Sequence, residues 1–336
     1  MKELLLDLLG RASQLREHLG SRWCEEVQWS DLGKRQTRFE RCFSQLLFSN
    51  TQLGGLGAIV EVEGWKPRVL GLHAPQYELF VDPMDGTANT CRWQDTGSRL
   101  IGSDVTAVIA VAPYERARPL LFADFFAAGA VDLRSAEGEN QIWVAEKGRG
   151  AWTAANPKAT LAPMTPGRNY HRHSPLVACE FFRHVNWATR LLVNQAIEWS
   201  DMASSFMNML RVALGEADCY INNVLPEYSS EGQRGHELGA LMPFLSELQG
   251  CALDARNRRP LGESRFTFDG MTPVIIGVDR ETVDYYLGLI NQSLETEIAL
   301  PDAGPMPLRT LISAISKGLQ ARPGKLRPLG SIPEQK

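Results

Sequence analysis

The chain has 336 residues, 44% apolar and 22% charged, proportions of an ordinary globular protein that exclude wholesale disorder and fibrous classes. Lys and Arg number 35 against 39 Asp and Glu, a formal charge of -4, so no global positive field is available to attract nucleic acid. The six cysteines are scattered without a C-x-x-C pair, which argues against a zinc cluster or redox motif and for reduced thiols.

The length favours two domains or one two-lobed domain. The opening MKELLLDLLGRASQLREHLG interrupts its apolar residues with Glu3, Asp7 and Arg11, so it reads as an amphipathic helix rather than a secretory signal. Phe39, Phe43, Leu46 and Leu47 then repeat at helical spacing, giving a second opening helix. LGAIVEVEG (56–64), YELFVD (77–82), VTAVIAVAP (105–113), PLLFADFF (119–126) and QIWVAEKG (141–148) read as successive strands separated by turn residues.

The Pro-bearing, aperiodic stretch 156–174 places a domain junction near residue 165. Beyond it, strands at 176–182, 219–223 and 272–279 alternate with helices around 202–217 and 237–250. The expectation is an N-terminal α+β metal-binding domain (1–165), a C-terminal α/β domain (166–318) and a disordered, Pro-rich tail (319–336). No window approaches the roughly 18 apolar residues of a membrane span, so a cytoplasmic protein without a membrane partner is expected. The H-x-H pair His171 and His173 falls in the junction loop and is read as no metal site.

The segment FVDPMDGTANT (80–90) carries the chemistry. Asp82 and Asp85 follow an apolar strand and are separated by a proline that fixes a turn. Two carboxylates about 4 Å apart repel by roughly 4 kcal/mol at an effective dielectric of 20, so a proton or a cation must lie between them. Hard carboxylate oxygens suit Mg²⁺, which keeps waters and substrate phosphate in its shell. Gly86 lets backbone approach a phosphate, and Thr87 adds a hydroxyl beside it. An unliganded Asp-Pro-x-Asp-Gly surface turn is the bland alternative. An aspartyl-phosphate motif would need one residue between its acids, whereas two, Pro83 and Met84, stand here.

With these residues in view, the sequence resembles the inositol monophosphatase and fructose-1,6-bisphosphatase superfamily, whose signature is Asp-Pro-x-Asp-Gly-Thr/Ser after a strand. VAEKGRGAW (144–152), SSFMNMLRVALGEADCYI (204–221) and HELGALMPFLSELQGCALD (236–254) follow in the family's order. The resemblance covers about residues 35 to 280. It implies a mixed α+β fold, a five-layer α-β-α-β-α sandwich, and a homodimer. It further implies two or three Mg²⁺ ions and hydrolysis of a small phosphorylated metabolite (an inositol, sugar or nucleotide phosphate) by metal-activated water.

By that resemblance Asp82, the Met84 carbonyl, Asp85 and Glu237 hold metal, together with Glu63 or Glu61. Thr87, Glu63 and Asp82 serve catalysis, and Gly86, Thr87, Ser204, Ser205 and Asn222 face phosphate or substrate. Ser204 and Ser205 equally suit a helix cap. Three departures stand out. His236-Glu237 replaces the family's Trp-Asp, so the ligand is one methylene longer, and His236 itself is read as a helix-start residue rather than a ligand. In KRQTRFE (34–40), Phe39 falls where the family carries an early Asp, which weakens water activation. Asn222 and Asn223 stand where inositol-specific members carry an acid. The competing expectation is therefore a weakened or inactive phosphometabolite-binding protein of the same fold.

Overall fold

The computed structural model describes residues 1–86, 105–115, 117–134, 140–166, 176–178, 198–200, 204–222, 232–300 and 304–311. Thr87, the His171/His173 pair, Asn223 and the tail 319–336 lie outside them. The chain divides into two compact units, Met1–Tyr286 and Leu287–Lys336.

The first unit opens with helix α1 (Lys2–Leu19), a ribbon of β1 (Glu26–Trp29) and β2 (Arg35–Thr37), and helices α2 (Arg38–Phe48) and α3 (Thr51–Leu56). Eight strands follow: β3 (Ala58–Val62), β4 (Arg68–Leu70), β5 (Tyr77–Asp85), β6 (Thr106–Pro113), β7 (Ala127–Asp132), β8 (Ile142–Glu146), β9 (Gly150–Ala154) and β10 (Ala162–Pro163). They form one sheet in the order β10-β9-β8-β7-β6-β5-β3-β4, parallel at β3–β5 and antiparallel elsewhere.

A second sheet takes β11 (Leu176–Ala178), β12 (Glu198–Ser200), β13 (Cys219–Asn222), β15 (Cys251–Asp254), β16 (Arg259–Pro260) and β18 (Val274–Gly277), in the order β12-β11-β13-β18-β15-β16. The short strands β14 (Gln233–Arg234) and β17 (Met271–Thr272) pair beside it. Helices α4 (Ser205–Ala213), α5 (Gly235–Leu248) and α6 (Arg280–Leu294) complete the mixed α+β set. The second unit carries the hairpin β19 (Glu297–Leu300) and β20 (Gly304–Pro307).

Period-2 alternation decides which layer meets which face of the first sheet. Leu79, Val81, Ile109 and Val111 join Leu5, Leu8, Leu9 and Ala12 of α1 and Phe39, Phe43 and Leu47 of α2 in one core. Phe80, Val108, Ala110, Ala128 and Trp143 face the other way, toward α4 and α5. Helix α5 buries Leu238, Leu241, Phe244, Leu245 and Leu248, an apolar surface too broad for one contact face. It lies between the sheets accordingly, and Tyr220, Val274 and Ile276 of the second sheet close that core from the far side. The first turn of α6 returns to this sheet, where a Cβ on Gly277 would meet Val283. Within Met1–Tyr286, layers of helix, sheet, helix and sheet result, with the first turn of α6 against the second sheet.

The segment 119–126, expected to be a strand, is not one. A single bridge at Leu121 leads into a 3-10 turn over Phe122–Asp124, and the strand begins only at Ala127. Asp124 is the physical reason: its Oδ2 accepts from Leu121 N at 2.8 Å, and Arg118 grips both of its oxygens at 2.7 Å. A carboxylate that satisfies the backbone locally competes with the sheet. The phenylalanines go to the core instead, with Phe125 and Phe266 stacking edge-on at 4.8 Å and Phe80 against Phe266 at 4.7 Å.

Candidate metal centre

The acid motif lies within β5, not in a turn after it. From Asp82 to Asp85 the strand advances three residues, while its partner β6 advances two, from Val108 to Thr106. That extra residue is a β-bulge. In a regular strand, positions three apart point to opposite faces, so the bulge is what turns Asp82 and Asp85 the same way. Val81 and Met84 accordingly both enter the core under α1 and α2. Pro83 fits at the bulge because it has no N–H to give the ladder. Gly86 follows with φ 88°, a left-handed conformation that costs glycine little.

Asp82 is buried, and its Oδ1 accepts from Met84 N at 2.9 Å. Its Oδ2 lies 3.5 Å from His236 Nε2. Burial alone would raise the Asp82 pKa, but His236, Lys34 and the Met84 N–H outweigh it and hold the carboxyl down at about 2. Asp85 reaches across to α4: Oδ2 accepts from Ser204 Oγ at 2.6 Å and Phe206 N at 2.8 Å, and Oδ1 from Ser205 N at 3.3 Å. Ser204 Oγ also accepts from Met207 N at 3.3 Å, capping the helix. Of the two serines expected to face substrate or to cap, Ser204 caps α4, and both orient Asp85, Ser204 through its hydroxyl and Ser205 through its backbone N–H.

Glu63 sits just past β3 with both oxygens engaged, Oε2 by Lys34 Nζ at 2.6 Å and Oε1 by Arg234 Nη1. Lys34 bridges on to Glu40 Oε1 at 3.2 Å. Glu40 was not singled out in the sequence; Phe39 was noted there as the absence of an acid. Phe39 is wholly buried, whereas Glu40 closes the capping box with Thr37 at the start of α2 and turns toward Lys34. The signal for it was the spacing Thr37-x-x-Glu40. Burial raises the Glu40 pKa despite Lys34.

Helix α5 begins at the same place. Glu237 is buried, and His236, 2% exposed, has its Nδ1 3.1 Å from the Phe268 carbonyl and its ring 4.6 Å from that of Phe268. Burial disfavours the imidazolium, but Asp82 and Glu63 raise the His236 pKa overall. The N-terminus of α4 points at Asp85 through the Ser205 and Phe206 amides, the end of a helix that favours negative charge.

Among the described residues, two groups of three side chains each bring their ligand atoms within 4.8 Å of one another: Glu63, Asp82 and His236, and Asp82, Asp85 and Glu237. Asp82 belongs to both. Of the two alternatives, Glu63 joins a group and Glu61 does not. Glu61 is half-buried among Glu78 and Asp269, and burial with those two charges raises its pKa to about 7. Asn222 lies in a buried network, its Nδ2 donating to Gln233 Oε1 at 3.1 Å and to Tyr220 Oη at 3.3 Å. Arg211 lies 3.8 Å from Glu216 on the far end of α4.

No family model matches the sequence, and no curated protein matches it. Solved structures do. The chain superposes on a fructose-1,6-bisphosphatase of Leishmania major in holo form with a TM-score of 0.62 at 15% identity, covering 86% of this chain and 94% of that one. A staphylococcal IMPase complexed with products gives 0.59 at 14% identity, covering 90% and 96%. An inositol monophosphatase family protein of Staphylococcus aureus gives 0.57 at 15% identity, covering 91% and 96%. The chain therefore has the fold that these inositol monophosphatase and fructose-1,6-bisphosphatase structures share. It carries on that fold a buried acid cluster able to hold divalent cations.

Proposed function

We propose that the protein is a divalent-cation-dependent phosphatase that hydrolyses a phosphate monoester of a small metabolite with water as the nucleophile. The observation that carries this reading is the sharing of Asp82 between two adjacent three-ligand groups. Such a pair of cation sites is the arrangement that clamps the attacking and leaving oxygens of an in-line displacement. Magnesium suits the oxygen-only group Asp82, Asp85 and Glu237, with the Met84 carbonyl as a further ligand. Cations held there would lower the pKa of a water and neutralise the phosphoryl oxygens.

The chain's own groups do the rest. Asp85 is held rigid by three donors of α4, so its ligand atom is pre-organised. Gly86 and Thr87 would receive the phosphate next to it. Lys34 and Arg234 offset part of the charge of Glu40 and Glu63, and the excess negative charge of the cluster is what bound cations would neutralise before an anionic ester enters.

A second reading, a phosphometabolite-binding protein without turnover, is favoured by one observation: both oxygens of Glu63 are already engaged by side-chain cations. Phosphate release from a panel of inositol, sugar and nucleotide phosphates, with and without Mg²⁺ or Mn²⁺, separates the two. Turnover that needs the cation and is lost in Asp85→Asn supports the enzyme. Binding of phosphate esters without release from any of them supports the second reading.

A further inference from the structure

His236 is a nitrogen donor at the edge of an otherwise all-oxygen cluster, and its tautomer is fixed from behind. The Phe268 carbonyl can only accept, so the proton of a neutral ring sits on Nδ1, 3.1 Å away, and Nε2 presents a lone pair. Nε2 is buried and makes no hydrogen bond. It points into the acids, 3.5 Å from Asp82 Oδ2 and 4.0 Å from Glu237 Oε1. A lone pair aimed at a carboxylate in a dry site is unfavourable unless a proton or a cation lies between them. An imidazole whose Nδ1–H is tied to a backbone carbonyl is also how proteins orient a metal-bound histidine.

We propose that Glu63, Asp82 and His236 form a mixed nitrogen and oxygen site for a first-row transition dication of the zinc and manganese class, beside the oxygen-only group that suits magnesium. The two groups differ in chemistry although they share Asp82. Imidazole suits zinc and its neighbours, whereas magnesium is reluctant to exchange oxygen for nitrogen. Lys34 and Arg234 do not block the site, because each carboxylate oxygen of Glu63 has a second lone pair and the two cations fix its orientation. The inference deepens the phosphatase reading and rests on its metal centre.

The test is zinc binding by the full-length, metal-stripped chain, followed by equilibrium dialysis and by X-ray absorption at the zinc edge. One equivalent of zinc with imidazole in its shell is expected, bound at least about tenfold more tightly than magnesium. His236→Asn is expected to remove the imidazole signature and weaken zinc at least about tenfold, with magnesium affinity changed far less. A His171→Asn, His173→Asn double variant is expected to keep the signature. An oxygen-only zinc shell in the native chain overturns the inference, as does loss of the imidazole signal in the double variant. Should His236→Asn not fold, the native spectrum and the double variant decide between these outcomes. Magnesium-dependent phosphate release with an oxygen-only zinc shell would sink this inference and leave the phosphatase standing. Imidazole-bound zinc with no phosphate release under any cation would do the reverse.

Discussion

Ser204 and Asp85 are joined by a 2.6 Å hydrogen bond in which the hydroxyl donates, while the same oxygen accepts from Met207 N. One atom therefore caps α4 and orients an acid of the first sheet. Ser204→Ala removes both interactions and is expected to cost about 1–3 kcal/mol of stability, read from denaturant unfolding. Divalent-cation affinity, read by calorimetry, is expected to fall with it. Ser204→Thr keeps the hydroxyl and is expected to retain most of both.

Lys34 stands between Glu63 and Glu40, 2.6 and 3.2 Å from their oxygens. Lys34→Met leaves two buried carboxylates short of a countercharge and is expected to lower the stability of the cation-free chain by more than about 1 kcal/mol. The rise in melting temperature on adding a divalent cation is expected to be larger in the variant than in the native protein, because the ion then supplies the charge that the lysine gave. An equal or smaller rise would show that Lys34 is not electrostatically linked to the centre.

Gly235 opens α5 immediately before His236, and a Cβ there would collide with the Thr267 carbonyl. Gly235→Ala is expected to displace the helix start, lowering the melting temperature by several degrees and weakening cation binding together. Gly288→Ala is the control: it lies within α6 with nothing near the added methyl, and is expected to be neutral or slightly stabilising.

Asp254, at the end of β15, accepts from Arg256 Nε at 3.0 Å, Arg256 Nη2 at 2.8 Å and Ser264 Oγ at 2.9 Å. Burial alone would raise its pKa, but these donors lower it below the usual carboxylate value. A depressed folded pKa means that the unfolded chain takes up the proton more readily. The contribution is therefore complete above the unfolded value and is lost as pH falls through the folded one. Thermal unfolding between pH 6 and 3 is expected to show a shallower acid decline in Asp254→Asn than in the native chain.

Most of the fold was legible because period and punctuation are local properties. The two opening helices, β3, β5, β6, β8 and helices α4 and α5 fall where apolar spacing put them. The exceptions depend on partners. Asp124 ends the apolar run 119–126 because Arg118 and Leu121 meet it, and spacing alone does not reveal that competition. The paired acids of 82–85 were legible, but not how they come to share a face, since the bulge is a mismatch with β6, more than twenty residues away. Glu40 was overlooked because a capping box reads as a helix start whether or not its acid also faces a lysine. The direction of His236 is set by the carbonyl of Phe268, 32 positions later.

The donors that quench Asp85 come from residues 119 to 121 positions further along the chain. On a ribosome, the strand bearing Asp82 and Asp85 emerges many seconds before α4 exists, at about 5–20 residues per second. For that interval the nascent chain has an acid pair with none of the amides and hydroxyls that later hold it. A divalent ion picked up from the surroundings at this stage would relieve the repulsion that α4 is not yet present to relieve.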